Sequence, residues 1–596
     1  MTQTTRTSAS MRCCLLAFGL LVSVSSAFAH PPATVKSALP KQTDAQKQAR
    51  SLASLQRYQS ILREELQRYM SFFRAQKLPR AYYASFRLLR SQSVSLQASD
   101  GVILKQEDNR KSPKYQLQVS IRIGDHQRDN TGPDGRDWQI YRHLLQFPSS
   151  FSKELDEPTL RKRLWQLADR EYKESLAQYH RKRYVQSLKV EIKDKSGDFS
   201  KEQRILLTDA PPILRFDMKK WKKIAKKVSL FSLKDPRIVK ATISLGGQQG
   251  AVVTVDSDGS AVIQHKTLYM YVVQVSYLSA KKEYLSNTRL AYFDTEAGLP
   301  DEKQLTAITQ SALQEIVDLS NAPEAEPIEA PAILLNDVAG VLFHEALGHR
   351  LEAQRMLNES DGRTFRSKIG KKIIPSFLSV LDDPTLRRWQ DTPLNGHYLV
   401  DEQGVRSQPV SLIKEGVLQN FLLSRKPIDQ FKRSNAHGRG VFGANPVSRQ
   451  GNLLVRSHRA YSIQQLRTML IEEARKQGKP YAFIIGKSSG GYTHTSTYDI
   501  QSFKNRPNLV LRIDAKTGEQ TLVKGLEMIG TPLTVVNNII ATGDDYGVFN
   551  GFCGAESGYV PVSAIAPSLL LKTVEFQRVK IDQKKPRMLP SPFASK

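Results

Sequence analysis
The chain has 596 residues and three cysteines, with 87 Lys and Arg against 58 Asp and Glu, a formal charge of +29. That length supports more than one domain with an ample core, and so few cysteines exclude a disulfide-framed scaffold. The basic balance favours anionic partners, but no zinc-finger or RNA-binding signature accompanies it, which sets nucleic acid aside.

Residues 1–29 read as a secretory signal. Arg6 and Arg12 precede a short apolar run, and Ala27-Phe28-Ala29 is a small-x-small site with cleavage expected after Ala29. Removal takes away two arginines and no acid, leaving +27. Cys13 and Cys14 leave with it, so Cys553 remains as a lone thiol in an oxidising compartment, where metal ligation is one reason to keep it. No later segment is apolar enough to span a bilayer. The expected location is therefore periplasmic or secreted.

Beyond a loose leader, residues 45–76 carry Leu52, Leu55, Tyr58, Ile61, Leu62, Leu66, Met70 and Phe73 at three- and four-residue steps, which predicts a helix. Strands are expected over 82–94, from Val102, and over 115–123, and a charged helix over 156–184. The basic run 219–228 puts Trp221, Ile224 and Val228 on one helical face among lysines. Two readings are open for it: a helix lying on an anionic membrane surface, or the solvated side of a docked helix. Residues 237–295 read as an antiparallel meander, and a helix is expected near 302–319.

The Pro/Glu-rich stretch 321–331 is the domain boundary. The expected architecture is α+β in two domains: a mixed α/β N-terminal domain over 30–327 and a β-rich C-terminal domain over 328–596. In the second, strands are expected over 376–381, 396–400, 410–414, 417–423, 481–485, 508–513, 525–529 and 567–579, and helices over 462–477 and 534–541. Gly551-Phe552-Cys553-Gly554 reads as a glycine-flanked loop.

The chemistry concentrates in residues 336–355, where His344 and Glu345 are followed by His349 on an apolar helix. Two imidazoles and a carboxylate suit a metal hydrolase. The histidines stand five apart, roughly 140° out of line on an ideal helix, so the helix must distort, and Gly348 is where it can bend or end. His, His and the thiolate of Cys553 with one open position make a reasonable catalytic zinc site. Glu352 is a candidate for orienting a ligand histidine, and Asp544 for supporting the site. His437, Arg439 and His494 lie in glycine-containing loops and are candidates for binding substrate.

The run H-E-A-L-G-H-R-L-E-A from His344 to Ala353 resembles the signature of the TldD/PmbA family of zinc metallopeptidases, on its TldD side. Asp401 to Gly404, Leu412 to Leu422, and the C-terminal Lys524-Gly525, Gly543-Asp544-Asp545, Cys553-Gly554 and Val560-Pro561-Val562 extend the resemblance. It implies His344, His349 and Cys553 as Zn2+ ligands and Glu345 as general base. It also implies a short or unfolded peptide substrate and a homodimer, or a heterodimer with a family paralogue. The resulting expectation is an exported zinc-dependent peptidase. Two alternatives stand beside it: a non-catalytic basic scaffold touching anionic envelope surfaces, and one subunit of a heteromeric peptidase inactive alone.

Overall fold
The computed structural model describes residues 43–75, 79–131, 149–151, 154–188, 196–235, 237–280, 283–357, 364–493 and 503–578. The expected signal segment and His494 lie outside the described residues. The metal-ligand candidates lie in the compact unit Lys47–Lys596.

The first half is built on one eight-stranded sheet. Its elements are α1 (Asp44–Ala75), β1 (Ala81–Ser99), β2 (Val102–Asp108), β3 (Lys114–Ile123), β4 (Ser149–Phe151), α2 (Glu157–Ser187), β5 (Leu206–Thr208), α3 (Met218–Ser229), β6 (Ile238–Asp256), β7 (Ala261–Leu278), β8 (Tyr284–Phe293) and α4 (Glu302–Asn321). The sheet runs β4-β3-β1-β6-β7-β5, with β2 beside β1 and β8 beside β7. In β3, alternation of Tyr115, Leu117, Val119, Ile121 and Ile123 sends every second side chain inward, the period of a strand with one wet face. Leu55, Tyr58, Leu62 and Leu66 of α1 and Leu160 and Leu164 of α2 pack on one side. α3 and α4 supply a separate core through Trp221, Ile224, Val228, Leu305, Ala312 and Ile316.

The second half comprises β9 (Ile328–Leu334), α5 (Asn336–Ala346), β10 (Leu378–Asp382), β11 (Val410–Lys414), β12 (Val417–Leu418), β13 (Asn452–Ser457), α6 (Ile463–Lys476), β14 (Tyr481–Thr493), β15 (Phe503–Asp514), β16 (Leu526–Gly530), β17 (Ile539–Gly543), β18 (Gly547–Ala555), β19 (Gly558–Ala566) and β20 (Leu569–Arg578). β9, β14, β15, β16 and β20 hydrogen-bond in a closed ring. A six-stranded sheet runs β12-β11-β10-β13-β19-β18. Helix α5 lies between β14 and the β18–β19 pair. That position explains its composition: Val338, Ala339, Val341, Leu342, Phe343 and Ala346 are all buried, as a helix covered on every side requires. Gly340 lets β19 come close, since a Cβ there would sit 3.1 Å from the Ala564 carbonyl oxygen.

The α+β class is as expected, with local corrections; the strand expected over 417–423 ends at Leu418. Residues 396–400 form no strand; their backbone bonds to β7 side chains instead. Gln264 donates to the Val400 carbonyl at 2.8 Å and accepts from the Val400 amide at 3.2 Å, while Lys266 donates to the His397 carbonyl at 3.2 Å. The helix expected over 534–541 stops at Asn537, after which Ile539–Gly543 pairs with β20. Gly551 to Gly554 is not a loop but part of β18, in register with β19.

The docked 394–400 segment carries a pH dependence. His397 Nδ1 donates to the Pro384 carbonyl at 2.8 Å. Burial, with Lys266 beside it, holds the imidazole down at about 4. The unfolded chain therefore takes up the proton first as pH falls. Stability is intact above pH 6.5 and is lost between 6.5 and 4, by up to ~3 kcal/mol. Denaturant unfolding at pH 7 and pH 4.5 should show this loss, and His397→Gln should shrink it.

Candidate metal centre
Strand β9 is buried from Ala330 to Leu334 and passes through Leu335 directly into α5. The helix does not continue to His349. It ends at Ala346, and a 3-10 turn covers Gly348–Leu351. Arg350 closes the helix end, its Nη1 donating to the Glu345 carbonyl at 3.2 Å and the Ala346 carbonyl at 3.4 Å, which meets the need of terminal carbonyls for donors. The break rotates His349 back toward His344: the two rings lie 4.9 Å apart at 81°. Gly348 sits at the break as expected, but its φ is not in the left-handed region. The glycine is required by crowding instead. A Cβ would lie 1.9 Å from Gln450 Oε1, and the Gln450 amide donates to the His344 carbonyl at 3.3 Å.

Cys553 arrives on β18, 204 residues away in sequence, with Sγ 3.3 Å from His349 Nε2. Ligand atoms of His344, His349 and Cys553 all lie within 4.8 Å of one another, and all three residues are buried. Glu345 Oε2 stands 3.9 Å from His349 Nε2. Gly491 of β14 walls the carboxylate closely enough that a Cβ would lie 2.7 Å from Glu345 Cγ. On the other side Tyr292 of β8 packs edge-on against Phe552, the residue before Cys553.

Electrostatics couple these groups. Burial alone would raise the Cys553 thiol, but His349 and His344 reverse it and hold it well below the usual thiol value. Burial likewise depresses His349, and Cys553 with Glu352 outweighs it, holding His349 well above an ordinary histidine. The Glu345 carboxyl is raised by burial, against the pull of the two histidines. A thiolate and an imidazole sharing a proton at short range are the donors a soft divalent cation takes. His344 also keeps a buried Nδ1 with no hydrogen bond among the described residues. The donor set fits a metal.

Glu352 is fully buried, and its Oε2 meets His349 Nδ1 at 3.1 Å and Arg355 at 2.9 Å. Burial would raise this carboxyl; His349 and Arg355 hold it down at about 2. The sequence offered no sign of a further participant, Arg449. Its Nε lies 3.5 Å from Glu352 Oε1, and its other nitrogens donate to the Cys553 carbonyl at 2.7 Å and Ser557 Oγ at 2.9 Å. One guanidinium therefore links the strand carrying the thiol to the carboxylate holding the histidine.

The remaining candidates lie elsewhere. Asp544 is an exposed turn residue whose amide donates to the Tyr461 carbonyl; among the described residues no hydrogen bond joins its carboxylate to the ligands. His437 is fully buried, with Nε2 3.2 Å from Asp382 Oδ1 and Nδ1 2.9 Å from the Asn435 carbonyl oxygen. Arg439 is buried, donates to the Gln450 carbonyl and lies over the Tyr398 ring. Both belong to the polar core rather than to exposed loops, because the carbonyls and carboxylate they meet have no access to water.

Residues 327–578 match the family model described as the PmbA/TldA metallopeptidase C-terminal domain. This part of the chain is similar to the TldD/PmbA family. Among its relatives, a protein of Archaeoglobus fulgidus named metalloprotease is 28% identical over 257 residues, 43% of this chain and 54% of that one. A protein of Saccharolobus solfataricus named zinc metalloprotease TldD homolog is 24% identical over 253 residues, 41% of this chain and 51% of its own. The chain thus spans about half the length of the curated relatives it matches. The fold likeness reaches further: the TldE structure from Thermococcus kodakarensis covers 87% of this chain and 100% of its own, with a TM-score of 0.54 at 13% identity. His344, Glu345 and His349, on which the resemblance to that family rests, are the residues the geometry gathers around Cys553.

Proposed function
We propose that this chain is an exported, zinc-dependent peptidase acting on short or unfolded peptides. The observation that carries the reading is the convergence of His344, His349 and Cys553 with a carboxylate, Glu345, 3.9 Å from one of them. Two imidazoles and a thiolate would hold the ion, and the name of the Saccharolobus relative supports zinc. Bound there, zinc would supply Lewis acidity, making water acidic near neutral pH and polarising a peptide carbonyl. Glu345 takes the proton from the attacking water and delivers it to the leaving amine. A buried carboxylate with a raised affinity for protons suits both transfers. Glu352 fixes the His349 ring through Nδ1, and Arg449 braces Glu352 against the Cys553 strand. β18 ends the six-stranded sheet, so an extended peptide can pair with its outer edge beside Cys553. Export rests on the signal-like residues 1–29, and pairing with a second copy or a paralogue follows the family.

Metal analysis with peptide cleavage tests this. Wild type should carry one zinc per chain and cleave unstructured peptides. Cys553→Ala should lose the zinc; Glu345→Ala should keep it and lose ~100–10,000-fold in turnover. Full zinc in Cys553→Ala would refute the ligand set. Wild-type turnover by Glu345→Ala would refute the mechanism. Zinc-loaded protein inactive alone but active with a paralogue would assign it to a heteromeric enzyme.

A further inference from the structure
Away from the metal centre, two neighbouring elements of the first half expose aliphatic side chains beside a run of lysines. The apolar face of α3 is not available to a membrane, because Trp221, Ile224, Ala225 and Val228 are buried in the core beneath it. Of the two readings open for this segment, the structure shows the docked helix. Its outer face presents Lys219, Lys220, Lys223, Lys226 and Lys227. Directly after it, in the 3-10 turn Leu230–Lys234, Leu230 is 44% exposed and Leu233 is 50% exposed. On β2, Val102 is 58% and Leu104 is 55% exposed, two residues apart and so on one face of the strand.

The two elements touch. The Gly101 amide donates to Ser229 Oγ at 3.0 Å, Ser232 Oγ donates to Asp100 at 2.5 Å, and a Cβ at Gly101 would lie 2.6 Å from Leu230 Cδ2. Acidic groups nearby include Asp100, Asp217 capping the α3 N-terminus, Asp108 paired with Arg110, Glu107 paired with Lys105, Glu302 paired with Lys227, and Asp235 paired with Arg237. The lysines of α3 leave the patch basic on a chain of charge +29.

We propose that this patch seats the protein on an anionic lipid bilayer. Val102, Leu104, Leu230 and Leu233 enter the interfacial region, and the α3 lysines face the lipid phosphates. Exposed aliphatics alone would suit a protein partner equally well; the five lysines beside them favour a surface of fixed negative charge. This proposal stands apart from the peptidase reading, since none of these residues is at the metal centre.

The test is co-sedimentation of the full chain with vesicles of phosphatidylglycerol mixed into phosphatidylcholine, and with phosphatidylcholine alone. Wild type should bind the anionic vesicles, release in high salt, and leave the neutral vesicles unbound. Lys219→Gln/Lys223→Gln/Lys226→Gln should weaken binding on the order of 100-fold. Leu230→Ser/Leu233→Ser should weaken it about tenfold or more, with the circular dichroism and zinc content of wild type. No binding by wild type, equal binding to neutral vesicles, or unchanged binding by both variants would overturn the proposal. Self-association of wild type that both variants lose would also overturn it, assigning the patch to a second copy.

Discussion
Replacing Glu352 with alanine should destabilise the metal-free protein by ~3–5 kcal/mol and weaken zinc binding ~10–100-fold. The carboxylate is wholly buried, and one of its oxygens serves His349 and Arg355 together while the other faces Arg449. Removing it takes this carboxylate from two buried guanidiniums, Arg355 and Arg449. Arg355 still has the Glu556 carboxylate at 3.7 Å, and Arg449 keeps the neutral acceptors on the β18–β19 hairpin. An unpaired buried charge costs more than the pair contributed, because desolvation is no longer offset. The zinc effect has a different origin: His349 loses the acceptor that orients its ring. Glu352→Gln separates the two, since the amide oxygen still accepts from His349 while the negative charge is gone. It should keep most of the zinc affinity and lose much of the stability. Denaturant unfolding of chelator-treated protein and a competitive zinc titration measure the two quantities independently. Wild-type zinc affinity in Glu352→Ala would remove Glu352 from any positioning role.

Gly348→Ala should be nearly as damaging, although it adds a single methyl group. The added carbon would overlap Gln450 Oε1, and Gln450 is 1% exposed, with its amide on the His344 carbonyl. Gln450 is buried and can swing away only by giving up its bond to the His344 carbonyl. Overpacking of this kind costs ~1–3 kcal/mol, and here the displaced turn carries His349, so zinc affinity should fall by ~10-fold or more. The double variant Gly348→Ala/Gln450→Ala makes room for the methyl group and should recover part of both losses. If Gly348→Ala alone binds zinc as wild type does, Gln450 yields freely and crowding does not explain the glycine.

Much of the secondary structure was legible because its signals are local. α1, α2, α3, α4 and α6 follow apolar residues at three- and four-residue steps, and β3 and β6 follow alternation. Misreadings arose where distant residues took over the backbone. The 396–400 segment has strand-like composition, but Gln264 and Lys266 of β7 claim its carbonyls. The glycines around Cys553 suggested a loop, yet pairing with β19 makes them a strand. His437 and Arg439 sat among glycines that signalled exposure, and the core closed over them.

The sequence by itself determined the donor types and the need for a broken helix: His344 and His349, five positions apart, cannot share one face of a regular α-helix. It also singled out Cys553 by elimination of the other thiols and by resemblance. Tertiary structure alone decided that Sγ stands 3.3 Å from His349 and that Glu352 is held by Arg355 and Arg449. It also decided that Gly348 is a glycine for the sake of Gln450, 102 positions on. The reason is range. Periodicity records what a residue's neighbours within a turn or a strand require, whereas buried charge and packing are settled between segments that only the folded chain brings together.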